Sequence, residues 1–490
     1  MALSAVFMFI VLLVTGGAGG NDLLDYLPTD AYWKAKGVKP GADAMLAELK
    51  PAAAAADAGA LIADLGSEDF KIREAATAKL RAMGALVVPQ LRAAAEKTAD
   101  AEVRSRAQGL VTELTAAAKG GEVRRLMAIR TLGELGKAEA LPALKGLLDS
   151  KELFVADYAQ AAIARIEGRP WTRPAPSAEE RWSDVWLLPR DSAVVGQLSL
   201  PPGGPVDIDK LFKEAREKAG AAATDAALDF DAVKARLADA VLKVAERTGN
   251  VRVHTATIGV AENVGNNAGH IGVVIRGVYD PTAVKAALAG LDGTSEQVDG
   301  VDVVKFRGGD HGQVLLASRE RFVGILGADQ KTVDDFARGM LAALKAGKGT
   351  LGENAGMAAL LKPVKVTDQL WAVARMTDAY RKEEILAGLD SIAFSGRADG
   401  GALDFTMTAS GKDAEKLKAS QAVFEQGRDR ALAQIRQLAQ QLPALKAAQD
   451  FGESIKLEAK AGEVAVRARI KPDLSPVAMM LPMMLMGRGF

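Results

Sequence analysis

Three histidines, His254, His270 and His311, are where acid–base or metal chemistry would start, because imidazole titrates near neutrality and binds metals well. None stands in an H-x-x-x-H or H-E-x-x-H pair, the spacing that puts two imidazoles on one helix face, so zinc is not expected. A hairpin of residues 251–261 with 270–279, turning near Gly265, sets His254 and His270 toward opposite ends and argues against a shared metal. His311 follows Asp310 in "KFRGGDHGQV". Adjacent strand or turn residues seldom point at each other, and Gly308, Gly309 and Gly312 mark a hairpin connection rather than a catalytic dyad. "GKGTLG", Gly347 to Gly352, matches G-x-G-x-x-G. A dinucleotide fingerprint follows a strand and opens a helix, however, and here a helix, "TVDDFARGMLAALKA", comes first, so the glycines read as a helix stop. Neither a Walker-type phosphate loop nor a G-x-S-x-G nucleophile elbow occurs. The adjacent carboxylates Asp334–Asp335 and Glu383–Glu384 read as solvated charge on helices. The absence of cysteine excludes disulfides, thiolate metal sites and a Cys nucleophile. No catalytic residue, cofactor or metal site is expected, and the chain reads as a non-enzyme.

The elements that would position any site must come from a chain of 490 residues, long enough for two or three domains. With 49% apolar and 25% charged residues the composition is globular. Lys plus Arg balance Asp plus Glu at 62 each, so no net field gathers nucleic acid or an anionic membrane.

The chain opens with "ALSAVFMFIVLLV" and the small-residue stretch "TGGAGG". Residues 1–20 read as a signal peptide cleaved near Gly17 to Gly20, the apolar run being shorter than the roughly 20 residues of a spanning helix. No Lys or Arg precedes the run, which keeps an uncleaved N-terminal anchor as the alternative; a buried helix of a cytosolic protein is the plainer one. Without a following Cys, a lipoprotein anchor is excluded. The expected location is therefore exported, periplasmic or extracellular.

Residues 21–52 form a Pro- and Gly-punctuated lead-in, and 53–168 a succession of helices. Arg73, Ala76, Leu80 and Met83 recur in type as Arg104, Ala107, Val111 and Leu114, and again as Arg125, Ala128, Leu132 and Leu135; offsets of three and four put each set on one helix face. Shorter helices between them carry Pro89 and Pro142 in the first turn, where the missing N–H is harmless. The D-x-x-[IV]-R-x-x-A openings "DFKIREAA" and "DAEVRSRA" resemble those of short HEAT-like repeats, although "GGEVRRLMA" departs from the pattern. The resemblance implies an N-terminal α-solenoid with an extended surface for a protein partner. Arg73, Arg104 and Arg125 either line that surface or bond neighbouring turns.

Pro170, Pro174 and Pro176 break the helical pattern and mark a linker at 169–184; Trp171, Trp182 and Trp186 lie in or beside it, as an aromatic ligand face or as packing. Beyond Pro189 short alternating runs read as antiparallel strands interleaved with helices. The order hairpin, helix, hairpin, helix recurs, giving α+β modules at 185–348 and 349–490. The pattern is similar to the duplicated α+β domains of exported bacterial proteins, some of which also carry helical repeats. The expected fold class is thus multidomain α and α+β, a HEAT-like α-solenoid followed by a duplicated antiparallel sheet-plus-helix module. Near the end, Met479, Met480, Met483 and Met484 lie in a methionine-rich stretch suited to an apolar ligand, or to a helix closing the second module.

The leading expectation is a non-catalytic exported scaffold with a protein partner and no nucleic acid. The alternatives are a periplasmic carrier of lipid or another apolar ligand and an unrecognised hydrolase, whose visible candidate pair is Asp310 with His311. Membrane contact is expected only if the N-terminal segment is retained.

Overall fold

Asp69 and Asp100 accept hydrogen bonds from backbone N–H groups in the first turns that follow them, and each caps the start of a helix. The computed structural model describes residues 22–49, 58–200, 213, 230–261, 270–289, 293–308, 310–327, 329–347, 349–378, 380–382, 386–399, 402–441, 446–460 and 462–470. The N-terminal apolar run and the methionine-rich stretch lie outside these residues.

The lead-in contains α1 (Thr29–Ala35) and α2 (Ala42–Ala47). Then come α3 (Gly59–Asp64), α4 (Phe70–Met83), α5 (Val88–Lys97), α6 (Ala101–Leu135), α7 (Leu141–Lys145) and α8 (Val155–Ile166). Helix α3, α4, α5 and the first half of α6 close a core of their own around Leu65, Leu80, Leu91, Leu110 and Leu114. We refer to this part as the arm.

Two expectations about the helical part are corrected. The segments opening with Arg104 and Arg125 are not separate helices, because α6 runs unbroken through both. Gly120 and Gly121 cost the helix about 1 kcal/mol each relative to Ala. No Pro or N-cap residue interrupts it there, and burial of Val123, Leu126, Met127, Ile129 and Leu132 outweighs that penalty. The lead-in, in turn, is no mere connection. Leu24, Trp33 and Met45 are fully buried, and Trp33 Nε1 donates to Thr131 Oγ1 of α6 at 2.8 Å.

Helix α9 (Ala178–Trp186) begins with a capping box in which Ser177 and Glu180 bond each other's backbone N–H. The boundary expected between linker and first module, at 184 and 185, therefore falls inside a helix. The remaining helices among the described residues are α10 (Phe230–Thr248), α11 (Pro281–Ala289), α12 (Gln330–Ala346), α13 (Ala355–Leu361), α14 (Ala414–Gln441) and α15 (Lys446–Ser454).

The strands are β1 (Ser192–Ser199), β2 (Arg252–Ala261), β3 (His270–Val278), β4 (Thr294–Val298), β5 (Val301–Gly308), β6 (Asp310–Leu316), β7 (Arg321–Gly327), β8 (Leu370–Arg375), β9 (Ser391–Asp399), β10 (Ala402–Ser410), β11 (Lys456–Lys460) and β12 (Glu463–Ile470). They form one antiparallel sheet of 12 strands in the order β11-β12-β10-β9-β8-β1-β2-β3-β7-β6-β5-β4. Instead of standing apart, the two expected modules share this sheet, joined by β1 and β8 with Gly196 opposite Ala372. Pairing there removes two exposed edges at once. Strand β4 escapes the alternation signal because "TSEQV" is polar and almost wholly exposed.

Alternation along β2 and β3 sends Val253 and Ile275 to one face, against the lead-in, α6 and α10, and Val274 to the other, against α9, α12 and α13. The molecule is thus a mixed α and α+β protein: a helical part plus a large antiparallel sheet covered by helices.

Candidate functional site

The densest polar arrangement lies where the lead-in, α8, the linker and β2 meet. Asp22, Asp25, Arg173 and Arg252 are all buried there. Arg252 grips Asp22 with two bonds, Nε to Oδ1 at 2.6 Å and Nη2 to Oδ2 at 3.1 Å, and reaches Asp157 of α8 with Nη1 at 2.5 Å. Arg173 grips Asp25 in the same forked way at 2.6 and 2.9 Å and approaches Asp22 at 3.4 Å. Asn250 donates to Asp22 and accepts from the N–H of Leu24. Burial by itself raises the Asp22 carboxyl, but the guanidinium groups of Arg252 and Arg173 overcome it and hold it below the ordinary range. For Asp25, burial and the neighbouring Asp22 charge outweigh Arg173 and raise it.

Beside this network opens a cleft of about 220 Å³ lined by Tyr158, Arg165, Arg169, Trp171 and Arg173 among others. Arg173 lies between the Tyr158 and Trp171 rings, 5.8 and 5.9 Å from their centres. The cleft's charges are met within the protein: Arg169 by Glu167, Asp157 by Arg252, and Arg130 by Glu134 and two carbonyls of the lead-in. The arrangement fastens three segments together and leaves little charge for a ligand.

The other residues singled out in the sequence are dispersed. Arg73 donates to the carbonyls of Ser67 and Glu68, and Arg104 to that of Thr98, so both close the loop ahead of their own helix. Arg125 pairs with Glu152, ahead of α8. Trp182 and Trp186 stack on each other at 5.4 Å, and Trp182 meets Trp371 of β8 at 6.1 Å, which packs α9 onto the sheet. Met479, Met480, Met483 and Met484 lie outside the described residues.

Among the described residues no cluster of three or more His, Asp or Glu side chains is arranged to hold a metal. His254 lies near the start of β2 and His270 at the far end of the β2–β3 hairpin. His311 turns to Gln330, with Nδ1 3.1 Å from Oε1. His270 and His311 flank Gly327 in the register of β3, β7 and β6, a neighbourhood that spacing in the sequence does not suggest. Gly347 caps α12 in the left-handed conformation, and Gly349 lies so close to α9 that a Cβ would stand 1.9 Å from the Trp186 carbonyl. "GKGTLG" is thus a helix stop and a close contact.

Sequence reasoning missed Asp22, Asp25, Asp157 and Arg252. Their one local signal is an arginine inside the otherwise strand-forming run "VRVHTATIGVA".

No helix among the described residues is long and apolar enough to cross a membrane. No family model matches the chain and no curated protein matches it in sequence. Among solved structures it is similar to TP0453, at 10% identity in each comparison. Crystal form III is covered over 98% of its length and this chain over 61%, with a TM-score of 0.33. For crystal form I the values are 99%, 64% and 0.31, and for form IV 96%, 61% and 0.33. Superpositions this loose carry no argument about fold or activity.

Proposed function

We propose that this is a non-catalytic exported interaction protein, whose helical arm offers a surface to a protein partner while the sheet-containing part supplies the body. The observation that carries the reading is on α4. Phe70 is 61% exposed and Ile72 44% exposed, although the arm closes its own core without them. Large apolar side chains left outside a closed core on a charged helix suit a partner contact.

The repeat reading draws support from matched local geometry 31 residues apart. Ser67 Oγ accepts from Asp69 N, and Arg73 returns to the Ser67 carbonyl. Thr98 Oγ1 accepts from Asp100 N, and Arg104 returns to the Thr98 carbonyl. The duplicated-module reading draws support from strand order. Outward from the β1–β8 pair, β2, β3, β7 and β6 follow on one side and β9, β10, β12 and β11 on the other.

The test begins with the protein purified gently from its native envelope and weighed intact by native mass spectrometry. A stoichiometric added protein mass is expected, and it should be lost from the Phe70→Glu, Ile72→Glu double variant. An association that survives this variant unchanged would end the proposal.

A further inference from the structure

A second cleft, of about 350 Å³, opens on the other side of the sheet between α12, the end of α9 and the first residue of β3. Its walls are largely apolar, from Leu187, Phe336 and Met340, and its polar groups are few: Asp191, His270, Asp335 and two threonines. That composition is characteristic of small-molecule sites. Among the described residues no Lys or Arg lines it.

The two carboxylates differ in what they already hold. Asp335 is engaged by Arg338, one turn further along α12. Asp191, half exposed at the mouth, has its charged contact with His270, whose Nε2 lies 3.6 Å from Oδ1, longer than a hydrogen bond. The imidazole is itself 11% exposed and its ring leans on Phe336 with centres 4.4 Å apart. Its nearness draws the Asp191 carboxyl below the ordinary range against the opposing effect of burial, with Arg190 adding a smaller pull. Asp191 is therefore ionised at neutral pH, at the mouth of an apolar cleft.

We propose that this cleft binds a small organic cation, a primary ammonium on an apolar body, with Asp191 as its counter-charge and Phe336, Met340 and Leu187 around the body. A carboxylate or phosphate ligand would face Asp191 and Asp335, whose own partners, His270 and Arg338, are already engaged with them. A neutral apolar ligand would cover the Asp191 carboxylate without pairing it, which is costly. An ammonium avoids both penalties. The Tyr158–Trp171 cleft differs here, since arginines line it. The proposal rests on residues remote from the arm surface and stands or falls independently of it.

The probes are 2-phenylethylamine, 2-phenylethanol and 3-phenylpropionate, titrated calorimetrically into the full chain. The amine is expected to bind, the alcohol to bind about tenfold more weakly, and the carboxylate not to bind. Asp191→Asn should weaken the amine by about tenfold. Gly339 lines the cleft from α12, and a Cβ there meets nothing within 4 Å, so Gly339→Leu should fill the space and abolish binding while favouring the helix. The proposal is overturned if the amine fails to bind at millimolar concentration, if the carboxylate binds as well, or if both variants bind the amine like the parent.

Discussion

The arm and the junction use charge in opposite ways. In the arm, Arg81 pairs with Glu113 while the two side chains stay 51% and 48% exposed. At the junction, Arg252 and Asp22 pair at 4% and 0% exposure. Exposed pairs add little, so the arm is held by apolar contacts around Leu80 and Leu91 and by caps such as Asp69 and Asp100. Buried pairs cost much to desolvate, and their worth lies in what happens when one member is missing. Asp22, Arg173 and Arg252 are satisfied only when lead-in, linker and β2 are all in place. The junction therefore ties assembly to completeness, whereas the arm is built from local pieces.

The largest expected effect breaks the junction. Arg252→Met removes the forked partner of Asp22, leaving it the Asn250 amide and Arg173 at 3.4 Å, and should cost about 3 kcal/mol in denaturant unfolding, with much of it recovered when Asp22→Leu is added. Full destabilisation persisting in the double variant would mean the pair is not the cause.

In the arm, Leu91→Ala empties a fully buried position and should cost about 3 kcal/mol. Hydrogen exchange should show the loss confined to residues 58–114, leaving the protection of the sheet unchanged. Uniform loss would merge the two regions.

A smaller effect separates them by pH. Burial, aided by the Arg252 charge, pushes His254 from 6.5 down to about 4. Between those values the unfolded chain takes up a proton that the folded one refuses, so stability falls as pH drops through this window and levels off below it. The size is at most about 3 kcal/mol. His254→Gln should remove that slope from the sheet's unfolding. All three histidines lie beyond residue 250, so the arm contributes none of it. Smallest of all, Arg81→Gln should leave the unfolding midpoint of the arm where it was, because its partner Glu113 remains in water. A clear drop would show the arm's surface charges to be more than solubilising.

Much of the arm was legible in order. The openings "DFKIREAA" and "DAEVRSRA", the matched Arg73 and Arg104, and Pro89 all mark local events within a helix or the turn before it. The same method failed at Gly120–Gly121, where burial of the following half of α6 overrode a local stop signal. Strands β6 and β7 are joined through "ASRE", a turn without the Gly or Asn that would mark it in the sequence. Of the polar sites, the pairing of Asp191 with His270 and of Asp22 with Arg252 left no trace in spacing, since the partners stand 79 and 230 residues apart.

The sequence by itself determined which stretches become helix and strand, and where their caps and apolar faces lie. These depend on neighbours within a few residues, and periodicities of 3.6 and 2 record them directly. Only the tertiary structure decided that β1 and β8 would join two runs of strands into one sheet, that the lead-in would be core, and which charges would be buried together. Each of those outcomes depends on which surfaces meet, and a buried charge is tolerable only beside a partner that the chain's order does not reveal.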